Sequence, residues 1–224
     1  MDGRCFLATF RPLIYSPGGR DAARRYGLPP FIDGSCRREP DLESPFPSIT
    51  ATCRAGKFAP RLVVGDRVAY LTVKGQYLDE RQAHWRLVAV LRVVRRFESH
   101  PQAAAWYADQ GLPLPSNCLV EGNAPKPFEL TNRMPPADVK ARLLGEADSE
   151  KAIRLWDAGY RRRVAQYPVV LATQPEFLEL HRAPKVHHQE LLSIFGRIPA
   201  TLNPPAIGCH QLDALLQLAA GRCD

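Results

Sequence analysis

Apolar positions along this chain change spacing about midway. Up to residue 97 they come in short runs that suit strands, and beyond residue 136 they recur mostly at helical intervals. "RCFLATFRPLIY" (4–15) predicts a first, central strand, and "SPGGRD" marks the turn after it. A long Pro-, Gly- and Arg-rich stretch to Pro47 holds one short helical candidate, 20–27, capped by Gly27. A structureless loop of that length is usually functional or flexible. "PSITATCRAG" (47–56) alternates β-branched and small residues and predicts a short strand. In "RLVVGDRVAYLTVK" (61–74), Gly65 and Asp66 make a turn. Val68, Tyr70 and Thr72 then share one strand face, with Ala69, Leu71 and Val73 on the other. "WRLVAVLRVVRRF" (85–97) carries four valines and predicts a long strand.

A capped helix follows, with Ser99 at its N-cap, Pro101 in its first turn and Gly111 at its end. Residues 112–132 predict a loop, a short strand at "NCLV", and a second loop. Residues 136–167 are helical with a break near Gly145; Ile153, Trp156 and Tyr160 form one stripe. Residues 168–182 return to extended chain, and helices ending in glycine are expected over 187–196 and 209–221. Consecutive strands with few helices between them favour an α+β fold with an antiparallel sheet or barrel.

Composition narrows the partners. The net charge is +7, and residues 1–135 carry 19 basic against 13 acidic side chains, so attraction to polyanions belongs to that part. Arginine outnumbers lysine 24 to 6, which suits bidentate phosphate and base contacts but can also reflect genomic composition. The longest apolar runs fall far short of the ~20 residues of a membrane helix, and no secretory leader opens the chain. A cytoplasmic protein with no membrane association is expected. The six cysteines are widely scattered, which argues for reduced, structural thiols and against zinc spacing.

The order of "VGDRVAYL", "WRLVAVLRVV" and a helix after "FESHPQAAAWY" resembles the PUA-like superfamily, nearest its ASCH, EVE and nucleotide-modification-associated branches. "SPFPSITATCR" is similar to a Pro-Phe, small-residue segment of the last type. "VEGNAP" resembles a Gly-Asp-Asn element of some members, although here the acidic residue, Glu121, precedes the glycine. The resemblance covers residues 1–132. It implies a mixed or antiparallel β-pseudo-barrel with flanking helices that binds DNA or RNA. In some relatives a pocket takes up a single, often modified, base; some ASCH-type relatives are hydrolases or nucleases. The expected organisation is a barrel over 1–135 and a mainly helical C-terminal extension, 136–224, packed on it.

Within that frame the candidate nucleic-acid-binding residues are Ser48, Thr50, Arg54, Lys57, Tyr70, Lys74, Trp85, Arg95, Asn117 and Asn123. Trp85, with Tyr70, Tyr77, Trp106 and Tyr107, offers flat surfaces for base stacking, or else fills the core. Ser48, Thr50, Ser116, Asn117 and Asn123 offer donors and acceptors for a base edge, or else bond their own backbone in turns. Arg54, Lys57, Arg61 and Lys74, with Arg92, Arg95 and Arg96, form either a phosphate-binding stripe or a solvated strand edge. Thr72, Lys74 and Glu80 are a possible hydrolytic set, for which Lys74 needs a pKa lowered by burial. No catalytic residue, metal or cofactor is assigned. The expected function is a nucleic-acid-binding module that recognises a modified or flipped base. The alternatives are a nucleoside or RNA hydrolase using the same pocket, and a protein-interaction module. The sequence leaves the oligomeric state open.

Overall fold

The computed structural model describes residues 3–78, 80–132, 149–198 and 203–222. The strands are β1 (Cys5–Phe10), β2 (Ser48–Thr50), β3 (Arg67–Thr72), β4 (Trp85–Phe97), β5 (Val170–Leu178), β6 (Lys185–Val186) and β7 (Ala206–Ile207). The α-helices are α1 (Pro17–Tyr26), α2 (His100–Asp109), α3 (Ser149–Gln166), α4 (His188–Phe195) and α5 (Cys209–Ala220). They form an α+β molecule around one mixed sheet of order β2-β5-β4-β3-β1-β7, with β6 paired to the start of β4. β1 and β3 run parallel, and the other pairs are antiparallel. The sheet draws on both sides of the expected boundary at residue 135, since β5 lies between β2 and β4.

The Gly65–Asp66 turn works as its chemistry suggests. Gly65 sits at φ 93°, and its N–H donates to Val93 O at 2.9 Å. The buried Asp66 carboxylate accepts from Val63 N at 3.0 Å and from Arg4 N at 2.9 Å, tying the turn to the chain before β1. β3 then leaves in continuous register with β1, and with β4 up to a shift between Tyr70 and Leu71, its side chains alternating between two cores. Phe6, Phe10, Val68 and Tyr70 face a core closed by Phe31, Leu42, Ile49, Phe58 and Leu62 from the long connection. Leu7, Ala69, Leu71 and Trp85 face a second core closed by Leu191 of α4 and by Leu212 and Leu215 of α5.

The expected α+β class with a mixed sheet is present, but the sheet is not closed into a barrel: β2 and β7 stand at its ends. These end strands have three and two residues, too few to make a seam. The parallel β1–β3 pair needs a crossover. The connection from Arg11 to Asp66 supplies it and covers one face of the sheet.

Two further expectations are corrected. "NCLV" is loop, not strand. The outer edge of β2 is already bridged to Asp41, and Asn117 reaches Ser48 through its side chain instead. The cysteines are not all reduced, because Cys5 and Cys209 form a disulfide. β7 pairs Ile207 with Cys5, so the chain enters α5 directly over β1. The cysteine argument for a reducing compartment falls with this bond. Among the described residues no helix is long and apolar enough to cross a membrane.

Candidate ligand-binding cavity

β1 and β3 end side by side, and a cavity of about 560 Å³ opens at their carboxyl ends. Thr9 and Phe10 close β1 there, and Val73 follows β3. The exposed Arg11 and Tyr15 stand at its mouth, the guanidinium 5.5 Å over the ring. The long connection supplies Asp33, Ser35, Glu39, Cys53 and Arg54, and α3 supplies the buried Tyr160. That volume lies within the ~300–1,000 Å³ typical of small-molecule sites.

The mainly apolar cavity wall carries several buried polar groups. Glu39, 2 % exposed, accepts from Thr50 N at 2.9 Å, from Thr50 Oγ1 at 2.6 Å and from Thr52 Oγ1 at 3.1 Å. Burial pushes its carboxyl up to about 7, against the pull of the Thr50 and Thr52 hydrogen bonds and of the nearby Arg54 charge. Burial raises Asp33 as well, opposed by its bonds to the Ser35 hydroxyl and N–H. Arg54 donates through Nη2 to the Thr9 carbonyl and lies 5.5 Å over the Phe58 ring and 6.0 Å over the Tyr70 ring. Three buried polar atoms in this group have no partner: Thr9 Oγ1, Arg54 Nε and Tyr70 Oη. Each leaves desolvation of ~1–3 kcal/mol uncompensated.

Strained backbone holds Arg54 inward. Arg54 and Ala55 both take left-handed conformations, at φ 53° and 52°, which costs about 1–2 kcal/mol per non-glycine residue. Gly56 follows at φ 75°, where a Cβ would meet the Tyr167 ring at 2.1 Å, so only glycine lets α3 end against this turn.

The structure gathers some expected site residues and separates others. Ser48, Thr50 and Asn117 surround Glu39: Ser48 Oγ donates to Asn117 Oδ1 at 2.6 Å, and Asn117 Nδ2 donates to Glu39 at 3.2 Å. Arg54 lines the cavity and Tyr70 lies beside it. Asn123 does turn chemistry, its Nδ2 donating to Pro115 O at 2.9 Å and Cys118 O at 2.6 Å. Trp85 is 7 % exposed and packs in the second core, stacked on His188 at 6.2 Å; Lys74 Nζ lies 5.1 Å over its ring. Lys57 and Arg95 are exposed and have no ion pair among the described residues. The rest of the supposed stripe is largely engaged: Arg92 pairs with Glu176 and Arg96 with Glu98, while Arg61 donates to Asn203 Oδ1. Of the possible hydrolytic set, Lys74 is exposed and Glu80 pairs with Lys185.

Sequence reasoning missed Thr9, Asp33, Glu39 and Tyr160. The only local signal was the density of opposite charges in "DGSCRREPD" (33–41), which implies paired rather than solvated groups. The thiols nearby are poor nucleophiles: burial pushes Cys53 up to about 12 and Cys118 up to about 11. Cys118 bonds the His100 carbonyl rather than its ring.

The lining therefore offers a ligand hydroxyl, guanidinium and carboxyl contacts beside the rings of Phe10, Tyr15 and Tyr160. The chain matches no protein-family model, no curated protein and no solved structure.

Proposed function

We propose that this cavity binds a single heterocyclic base displayed by a DNA or RNA strand, and that the fold is an opened variant of the PUA-like pseudo-barrel. The observation that carries the reading is the pair of partnerless buried atoms on lining residues, Thr9 Oγ1 and Arg54 Nε, in the same cavity as Glu39 and Asp33, with the partnerless Tyr70 Oη on the ring beside Arg54. Native proteins seldom leave buried polar groups unpaired without a use for them. A base edge offers both donors and acceptors, and a carboxyl near neutrality can serve as either. The exposed Arg11, Lys57 and Arg95 supply charge for the strand's phosphates.

Thr9→Val tests the reading. It preserves shape and β-branching but removes one partnerless hydroxyl. Fluorescence anisotropy against short DNA and RNA oligonucleotides with different modified bases, at low salt, is expected to find at least one preferred base. Thr9→Val is expected to weaken that complex roughly 2- to 10-fold, while leaving the free protein equally stable or slightly more so. No binding to any oligonucleotide, or full affinity in the variant, overturns the proposal.

One observation favours the hydrolase as a second reading: the Glu39 carboxyl, at about 7, suits a general acid or base. Turnover of RNA or nucleosides that disappears in Glu39→Gln while binding persists would establish it.

A further inference from the structure

A second cleft lies where β4 begins. It measures about 410 Å³ and is lined by Arg86, Arg182, Pro184, Lys185, His187 and Arg222. Four of its six lining residues are Lys or Arg. Two carboxylates answer them: Glu80 pairs with Lys185, and Glu190 pairs with Arg222. Glu179 stands nearby, but it accepts from the backbone N–H groups of His181 and Arg182 rather than from a lining side chain. With Glu179 counted against the lining as well, the cleft keeps a surplus of one positive charge before His187 is counted.

Arg86 is the unusual member. It is 5 % exposed and makes no ion pair among the described residues, although the Glu80 charge acts on it from nearby. Buried charges are normally paired, because taking a lone ion out of water costs several kcal/mol. Its position is nonetheless built. His84 Nδ1 lies 2.8 Å from Gln82 O, so that nitrogen carries the proton and Nε2 is left to accept. Arg86 Nε donates to His84 Nε2 at 2.9 Å, and Arg86 Nη1 donates to Ala183 O at 2.7 Å. The backbone N–H of Arg86 donates to Thr72 Oγ1 at 2.9 Å. These contacts hold the guanidinium still and leave donors on Nη2 for a group in the cleft.

We infer that this cleft binds a phosphate group, with Arg86 as its buried anchor and Arg182 as its exposed clamp. Guanidinium forks match phosphate oxygens geometrically, and the charge surplus suits an anion. The site stands whether or not the first cavity holds a base. It lies at the same end of the sheet, since Thr72, bonded to Arg86, precedes the cavity residue Val73.

Inorganic phosphate is the direct probe. Thermal unfolding of the full chain is compared in phosphate and in chloride at matched ionic strength. Phosphate is expected to raise the midpoint and chloride to leave it unchanged. Arg86→Gln is expected to abolish the effect but can also unfold the protein. Arg182→Gln keeps the test valid, because Arg182 is exposed and has no ion pair among the described residues. Its apparent affinity for phosphate is expected to fall about tenfold. A midpoint that responds alike to phosphate and chloride, or a full phosphate response in Arg182→Gln, overturns the inference. Adding an unmodified oligonucleotide separates the sources. Displacement of phosphate identifies the phosphodiester of a strand, and its persistence identifies a free phosphoryl compound; either result upholds the site.

Discussion

Glu39 shows how far one side chain departs from its usual behaviour when a fold surrounds it. Its carboxyl is pushed from 4.5 up to about 7 by burial, in spite of the hydroxyl and N–H groups of Thr50. A carboxyl with a raised folded pKa holds its proton more tightly in the native state. Its contribution to stability is therefore complete below about 4.5 and is lost as pH rises through about 7. Urea midpoints at about pH 5 and about pH 8 are expected to differ, with the protein weaker at the higher pH, and Glu39→Gln is expected to shrink that difference. A variant with an undiminished slope would move the titration to another group. At this scale the sequence was half legible. Thr50, Ser48 and Asn117 stand out as polar residues in short apolar surroundings. Glu39 sits among arginines and reads as surface until the connection is seen folded under the sheet.

Among the elements, α3 depends on an ion pair that spans 120 residues. Arg37, fully buried, donates from Nε to Asp157 Oδ1 at 2.7 Å and from Nη2 to Asp157 Oδ2 at 2.9 Å, and its Nη1 bonds Ser116 O at 2.8 Å. This fork fastens the long connection to the helix that contributes Tyr160 to the cavity. Asp157→Asn would leave the guanidinium buried without a counter-charge and is expected to cost about 3–5 kcal/mol in urea unfolding. A loss below ~1 kcal/mol would mean that water reaches the pair. The elements themselves were readable: β4 matches its expected bounds, the Ser99 cap and the Gly27 and Gly196 ends are in place, and the stripe of Ile153, Trp156 and Tyr160 packs inward. Local patterns carry such information because caps and face periodicity depend on neighbours within one or two turns. The expected break near Gly145 lies outside the described residues.

For the molecule as a whole, the disulfide from β1 to α5 joins residues 204 apart and ties nearly the full length of the chain into one loop. Cys209→Ser is expected to lower stability by roughly 2–5 kcal/mol, and reductant is expected to lower the native protein to the same level. Equal urea midpoints with and without reductant would show that the bond contributes nothing. The bond and the candidate sites depend on the same kind of event, which is the meeting of distant segments. By itself the sequence determined the α+β class, the strand and helix faces, the Gly65–Asp66 turn and the basic character of the first part. All of these follow from spacing, backbone preference and charge that act locally. Only the tertiary structure decided that the sheet stays open, that β5 completes it from the far part of the chain, and that Thr9, Glu39, Arg54 and Tyr160 line one cavity. Burial and long-range pairing set those outcomes, and neither has a periodicity that a single chain displays.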